Sequence, residues 1–231
     1  MVRFQVLRTP VFGLFAAWLI LLGATAPGRA AEVYDLLFKT GTLDSLSRTS
    51  VLDYERRVSA RDNEKLAARG TGTISLSFAP EDMAELKFRQ GDKYRTVGSF
   101  PATVGNPMIM YFVETVVRDM AGTAGGSPFY IRNRVKEALV KKVPVLDETL
   151  RIDGRDVPAQ TVTLHPFEND PNRDRMHGFE DLALTITMSD GVPGWYYALK
   201  AEAGAGRTSG NKEEAPVYSN SIVLATLEAA K

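Results

Sequence analysis

Apolar and polar residues alternate along much of this chain, in two groups of segments separated by a central block. Alternation with a period of two predicts β-strands that have one face buried and the other in water. A sheet buried on both faces would read as continuous apolar runs, so the pattern predicts an antiparallel sheet with one covered face. The predicted strands are residues 51–59, 72–78, 83–89, 94–97, 150–152, 157–164, 182–188, 195–201 and 222–227.

The central block contains two helix start signals of the same kind. Asn106 and Ser127 are capping residue types, and each precedes a proline, which suits the first position of a helix. These signals predict two helices, at residues 107–121 and 128–141. Glycines within residues 122–126 predict a helix stop and a tight bend, so the two helices form a hairpin.

The first predicted helix is apolar on nearly all sides, whereas the second has an ordinary apolar stripe. A helix that is apolar all round must be surrounded. Methionine adapts to irregular contents, and an apolar helix beneath an incompletely closed sheet favours a cavity for an apolar ligand. A well-packed core is the alternative interpretation. The candidate ligand-binding residues are Met108, Met110, Tyr111, Phe112, Val116 and Met120.

The order of these elements predicts an α+β fold. We expect a curved antiparallel β-sheet or incomplete β-barrel, with an inserted two-helix hairpin that covers its concave face. This element order resembles the bacterial lipoprotein-carrier architecture, in which a curved, incompletely closed sheet is plugged by helices and encloses an apolar cavity. The resemblance rests on element order, a signal peptide and size, so it implies an architecture and transfers no site residue.

The N-terminal residues have the pattern of a secretory signal peptide. Arg3 and Arg8 precede an apolar core, and small residues occupy the −3 and −1 positions of a cleavage site after Ala30. A cut after Ala26 would place proline directly after the cleaved bond, which is unfavourable. An uncleaved anchor is the other alternative, but it needs about 20 apolar residues, more than the leader offers.

The expected organisation is a signal peptide at residues 1–30 and a single soluble periplasmic domain at 31–231, without a transmembrane segment. The full chain has 28 basic and 28 acidic residues, and the leader removes three arginines and no acid, so the mature charge is about −3. Nucleic-acid binders depend on clustered Lys and Arg, so we predict no nucleic-acid partner. The absence of cysteine excludes disulfides and thiolate chemistry.

One acidic loop has a spacing that is typical of calcium ligands. Asp170, Asn172 and Asp174 occupy alternate positions, with Asp181 at the twelfth place of the loop. Calcium loops also require glycine at the sixth place and usually glutamate at the twelfth, and Arg175 stands at the sixth. The two histidines of the chain lie in different segments. We therefore interpret the loop as a solvated turn and predict no metal site.

Candidates for catalysis and anion binding are equally weak. The chain has no Gly-x-Ser-x-Gly elbow, and Ser127 is explained as a helix cap. The glycine-rich residues 122–126, with Arg132 and Arg134 nearby, could present backbone N–H groups to an anion, but they lack the Lys-Ser/Thr ending of a phosphate loop. We interpret them as an interhelical turn and predict no catalytic residue and no cofactor.

Charged residues also occur on the first predicted helix. Glu114 and Arg118 have the spacing of a helix-surface pair, and Asp119 follows them. A buried polar cluster at the mouth of a cavity is the alternative interpretation of these three residues.

The sequence favours an exported periplasmic binding protein or carrier, non-enzymatic, whose partner is a hydrophobic ligand: a lipid, an acyl chain or a lipidated polypeptide. The alternative is a cell-envelope assembly or interaction factor that has a filled core and binds a protein partner. An enzyme is disfavoured because recognisable nucleophiles, acids and bases are scarce.

We expect the leader to be removed beside Ala30. N-terminal sequencing of the protein from the periplasmic fraction should give a chain that starts at Ala31 or within one or two residues of it. A full-length product in the cytoplasm would contradict this assignment.

Overall fold

The computed structural model describes residues 29–204, 208–209, 212–213 and 215–225, so all but the last two residues of the predicted signal peptide lie outside the described residues. The helices are α1 (Arg29–Leu37), α2 (Glu64–Gly70), α3 (Met108–Thr123) and α4 (Pro128–Leu139), with 3₁₀ turns at Ala102–Val104 and Arg173–Arg175. The strands are β1 (Leu52–Ala60), β2 (Gly72–Ala79), β3 (Met83–Gln90), β4 (Lys93–Pro101), β5 (Val145–Ile152), β6 (Arg155–Leu164), β7 (Ala183–Met188), β8 (Tyr196–Ala203), β9 (Thr208–Ser209), β10 (Lys212–Glu213) and β11 (Tyr218–Leu224). Within the described residues, no helix has the length and apolar character needed to span a membrane.

Nine strands form one open antiparallel sheet in the order β4-β3-β2-β1-β11-β8-β7-β6-β5. The strands β1 and β11 pair at its centre, with Tyr54 opposite Leu224 and Ala60 opposite Tyr218. The two edges are β4 and β5, and the hairpin of α3 and α4 is the connection between them, so the hairpin crosses one face of the sheet. The predicted fold is confirmed: an α+β fold with an open antiparallel sheet whose concave face is covered by an inserted helical hairpin.

Apolar side chains occupy alternate positions of the sheet and form one continuous hydrophobic core with the helices. In the central strands, Tyr54 is fully buried together with its cross-strand neighbour Ile74, and its other neighbour Leu224 is nearly so. The helix α1 belongs to the same core, because Leu37 is buried and its carbonyl accepts a 2.6 Å hydrogen bond from the Tyr196 hydroxyl. The alternation read from the sequence therefore identifies the covered face correctly.

The helices differ from the sequence prediction in several details, and α3 ends two residues later than predicted. The helix α2 lies in a charged segment for which the sequence pattern predicts no element, and Asn63 caps it by accepting a backbone N–H at 3.0 Å. Gly122 lies inside α3, so it does not stop that helix. The bend is made by Gly125 and Gly126, both at positive φ, a region that glycine adopts without steric cost. The helix α4 ends two residues earlier than predicted.

The two predicted caps behave differently. The Asn106 side chain accepts the Met108 N–H at 3.0 Å, and its amide donates to the Tyr54 hydroxyl at 3.0 Å and to the Gly194 carbonyl at 2.7 Å. Asn106 is buried, so it anchors the start of α3 to the sheet. Ser127 occupies the N-cap position of α4, but its side chain makes no capping hydrogen bond, so the predicted capping role of Ser127 is wrong.

Replacing Asn106 by Ala should lower the free energy of unfolding by about 2 to 3 kcal/mol, because it removes a helix cap and takes away the amide that donates to the buried Tyr54 hydroxyl. The matched variant Ser127→Ala should change it by less than about 0.5 kcal/mol. Urea denaturation of both variants measures the difference. Equal losses would contradict the anchoring role of Asn106.

Candidate functional site

The six predicted ligand-binding residues of α3 differ in burial. Five of them are no more than 5% exposed and belong to the hydrophobic core: Met108, Tyr111, Phe112, Val116 and Met120. Met110 is 55% exposed. Met120, near the C-terminal end of α3, also lines a pocket. The C-terminal end of α3 is therefore the part of this helix that adjoins a pocket.

An apolar pocket lies where the end of α3, the start of α4 and a loop meet, and its volume is about 340 Å³. This volume falls within the range of about 300 to 1,000 Å³ that is typical of small-molecule sites. Its walls are formed by Met120, Ala124, Gly125, Gly126, Ser127, Tyr130, Ile131, Asn172, Arg175 and Met176. One methionine comes from α3 and one from the loop, so flexible thioether side chains contribute to two walls.

The acidic loop forms one wall of this pocket, and Asp170 attaches it to α4. The buried Asp170 carboxylate accepts the Tyr130 hydroxyl at 2.8 Å and the Asn172 N–H at 2.8 Å, and it pairs with Arg134 Nε at 2.9 Å. The Asn172 amide donates to the same Tyr130 hydroxyl at 2.8 Å. The Asp170 carboxylate therefore holds the loop against α4. Across the described residues, no three His, Asp or Glu side chains are grouped so that they could hold a metal ion.

A larger cleft, of about 780 Å³, lies beside α1 and the edge strand β5. Its walls include the charged residues Asp35, Lys39, Lys142 and Asp147. Charged groups lose hydration when an apolar ligand covers them, so this cleft suits an apolar ligand poorly. The pocket at the end of α3 is the better candidate for such a ligand.

No protein-family model matches the chain, and no curated protein matches it. Among solved structures, the chain is similar to the Mycobacterium tuberculosis lipoprotein LppX, with a TM-score of 0.33 and 10% sequence identity. The match covers 87% of this chain and 98% of that chain. A likeness of this degree assigns no function to the present chain.

A buried arginine connects α3 to the two central strands. Arg56 of β1 is 3% exposed, and it donates hydrogen bonds to Asn220 at 3.2 Å, to the Tyr111 hydroxyl at 3.1 Å and to the Asp119 carboxylate at 3.3 Å. The Tyr218 hydroxyl donates to the same carboxylate at 2.9 Å. This network joins β1, β11 and α3 through a charged pair that is largely removed from water.

The protonation of this network follows from its burial. Burial raises the pKa of Asp119 above its ordinary value, while the hydrogen bond from Tyr218 and the charge of Arg56 act to lower it. Burial and the neighbouring Asp119 carboxylate raise the pKa of Tyr218 well above its usual value, so this hydroxyl stays protonated and remains a donor. Each charge of the Arg56–Asp119 pair therefore depends on the other for compensation.

The signal for this network is present in the sequence of β1. Leu52, Tyr54 and Val58 mark the buried face, and Arg56 interrupts their alternation. A charged side chain is almost never fully buried unless it has a partner, so this interruption indicates a buried ion pair. Asp119 is distant in sequence, and the strand pattern does not identify it.

The remaining charges of α3 and α4 lie closer to the surface. The Glu114 carboxylate pairs with Arg132 at 2.8 Å, and its contact with Arg118 is longer, at 3.8 Å. Arg134 pairs with Asp170. Both arginines proposed for an anion site at the glycine-rich bend are therefore engaged by carboxylates, so that alternative is not supported. The three acidic and basic residues of α3 separate into a surface pair, Glu114 and Arg118, and the largely buried Asp119.

Removing Asp119 should destabilise the protein strongly, because the Arg56 guanidinium would stay buried without its counter-charge. We expect Asp119→Ala to lower the free energy of unfolding by about 3 to 5 kcal/mol. The control is Glu114→Ala on the same helix, which should cost less than about 1 kcal/mol because its ion pair is partly exposed. Similar losses in both variants, measured by chemical denaturation, would contradict the account.

Proposed function

We propose that the protein is exported and that its folded domain is a periplasmic binding protein for an apolar ligand of the acyl-chain class. The apolar pocket at the end of α3 carries this proposal. Its walls combine Met120, Met176 and Ile131 with the open bend at Gly125 and Gly126. A side-chain carbon added at either glycine would meet no atom within 4 Å, so the bend leaves the pocket accessible.

Two polar residues of the wall, Tyr130 and Asn172, support an apolar ligand because they satisfy one another, whereas Ser127 and Arg175 are exposed to solvent. The Tyr130 hydroxyl is hydrogen-bonded to Asp170 and to the Asn172 amide. These groups therefore need no hydrogen bond from a ligand, and a ligand without polar groups leaves none of them unpaired. Such a lining favours dispersion and hydrophobic contacts over polar recognition.

The predicted residues of α3 enter this proposal in two ways. Met120 contacts the ligand directly, and Phe112 and Val116 belong to the packed core on which the pocket rests. Met176 and Ile131 are added as contact residues, which the sequence pattern did not single out. Export is proposed from the leader pattern alone.

Filling the pocket tests this proposal. The variant Ala124→Trp places an indole ring against the wall of the pocket, and Ala68→Trp adds the same ring to an exposed position of α2. Wild type and Ala68→Trp should bind the uncharged dye Nile red, and dodecanol should displace it. Ala124→Trp should weaken binding by more than about tenfold, or about 1.4 kcal/mol.

Two results would overturn the proposal. One is equal dye binding by both tryptophan variants, because the dye would then bind elsewhere. The other is the absence of dye binding by the wild type together with the absence of lipid in native mass spectra of protein purified from its own envelope.

A second candidate function is a cell-envelope interaction factor with a protein partner. It is favoured by the packed core around Phe112 and by Phe129, which is 75% exposed at the start of α4. Large exposed aromatic side chains are enriched at protein interfaces. A protein partner that co-purifies with the wild type, is lost in Phe129→Ser and is accompanied by no lipid would favour this function.

A further inference from the structure

We propose that the opening between α2, β4 and α3 is a binding site for an oxyanion of the phosphate class. This assigns a second site, distinct from the apolar pocket. Its volume is about 320 Å³. Its walls are formed by Arg56, Leu66, Arg69, Gly70, Arg95, Thr115, Arg118 and Asp119, so four arginines and one carboxylate line the same opening.

The single carboxylate of the wall is already paired. Asp119 is held by the buried Arg56 at 3.3 Å and accepts the Tyr218 hydroxyl at 2.9 Å. The positive charge of Arg56 is thereby balanced at the base of the opening. The three arginines at the rim, Arg69, Arg95 and Arg118, remain as the excess charge of the site.

The rim arginines have few competing anions. Within the described residues, neither Arg69 nor Arg95 forms an ion pair. Arg118 contacts the Glu114 carboxylate at 3.8 Å, but that carboxylate is held more closely by Arg132 at 2.8 Å. The Asp119 carboxylate also interacts with the charges of Arg69 and Arg118, but four guanidinium groups line the opening with this one carboxylate, and such an excess of positive charge attracts an anion.

A β-bulge places Arg95 on this side of the sheet. Leu86 pairs with Gly98 and Lys87 pairs with Thr96, so one extra residue of β4 lies between these pairs. Beyond the bulge, Arg95 stands opposite Phe88, whose side chain is buried, and cross-strand partners share a face. If β4 continued the regular register of Leu86 with Gly98, Thr96 would stand opposite Phe88 and Arg95 would point to the other face.

Packing restricts two arginines of the rim, Arg95 and Arg69. The Arg95 guanidinium lies over the Phe88 ring at 5.2 Å from its centre, a cation–π contact that restricts it. Arg69 lies in the last turn of α2, and the next residue, Gly70, packs so closely on Val58 that a Cβ there would come within 2.8 Å. The helix α2 is therefore held tightly against β1, and this fixes the side from which Arg69 approaches the opening.

The chemistry of the site favours phosphate or a phosphate ester. Guanidinium groups present planar forks of N–H donors that bind phosphate oxygens in pairs, with charge assistance. The anion can come from two sources, free inorganic phosphate or the phosphorylated end of an amphiphile. An amphiphile as the source rests on the function proposed above, whereas the anion site itself does not depend on that function.

The test is calorimetric titration of inorganic phosphate into the full domain at a constant ionic strength of about 0.15 M, so that screening is equal in all samples. The double variant Arg69→Gln/Arg95→Gln removes two charges from the rim. The control Arg57→Gln/Arg151→Gln removes two exposed arginines elsewhere on the sheet, with the same change in net charge. We expect the rim variant to weaken phosphate binding by at least about tenfold and the control by less than about twofold.

Three outcomes would overturn the site: no phosphate binding by the wild type, equal weakening in both double variants, or unchanged binding in the rim variant. Equal weakening would mean that net charge alone attracts the anion. If the double variant fails to fold, the single variant Arg95→Gln is used, because Arg95 is exposed on an edge strand. A loss of phosphate binding in that folded variant supports the site, and unchanged binding overturns it.

A second titration distinguishes the two sources. If the anion belongs to an amphiphile, dodecyl phosphate should bind at least about tenfold more tightly than inorganic phosphate, and Ala124→Trp should remove that gain. Equal affinities identify free phosphate as the ligand of the site. Dodecanol has no phosphate group, so its binding tests the apolar pocket alone. A lack of binding at the apolar pocket and a lack of binding at the anion site therefore give different results.

Discussion

The pairing of β1 with β11 is the constraint on which the rest of the structure depends. It places the first and last strands of the sheet side by side, so two meanders become one nine-stranded sheet whose edges, β4 and β5, lie at opposite ends. The chain must then travel from one edge to the other, and the hairpin of α3 and α4 makes this connection across the concave face. The burial of the concave face and its coverage by the helices therefore both follow from the pairing of β1 with β11.

The same strand pair positions the buried charge. Arg56 stands opposite Ile222, and Asn220 lies diagonally across on the same face, so both reach α3 together. A buried ion pair is a weak source of stability, because desolvation offsets much of its attraction, but its directional hydrogen bonds oppose a shift of α3 along the sheet. The consecutive residues Asp119 and Met120 thereby line two different openings, one rich in arginine and one apolar.

Much of the fold could be predicted from local patterns, because each pattern has a local physical cause. Alternation gives the strands and their covered face, since successive side chains of a strand point to opposite faces. Proline at the first position of α4 and the glycines of the bend mark the hairpin, because their backbone angles are restricted or unusually free. The sequence pattern did not predict α2, because its short charged sequence has no apolar period. The cap of this helix and its packing on β1 stabilise it.

The sequence by itself determined the strand faces and the helical hairpin, because these depend on residues within one segment. Only the tertiary structure decided which residues meet. Asn106 is more than a cap because Tyr54 and Gly194 arrive from other strands and turns, and Ser127 lacks the capping bond that its position suggests. The pocket walls and the rim arginines come from segments far apart in the chain, and strand register and one bulge bring them together.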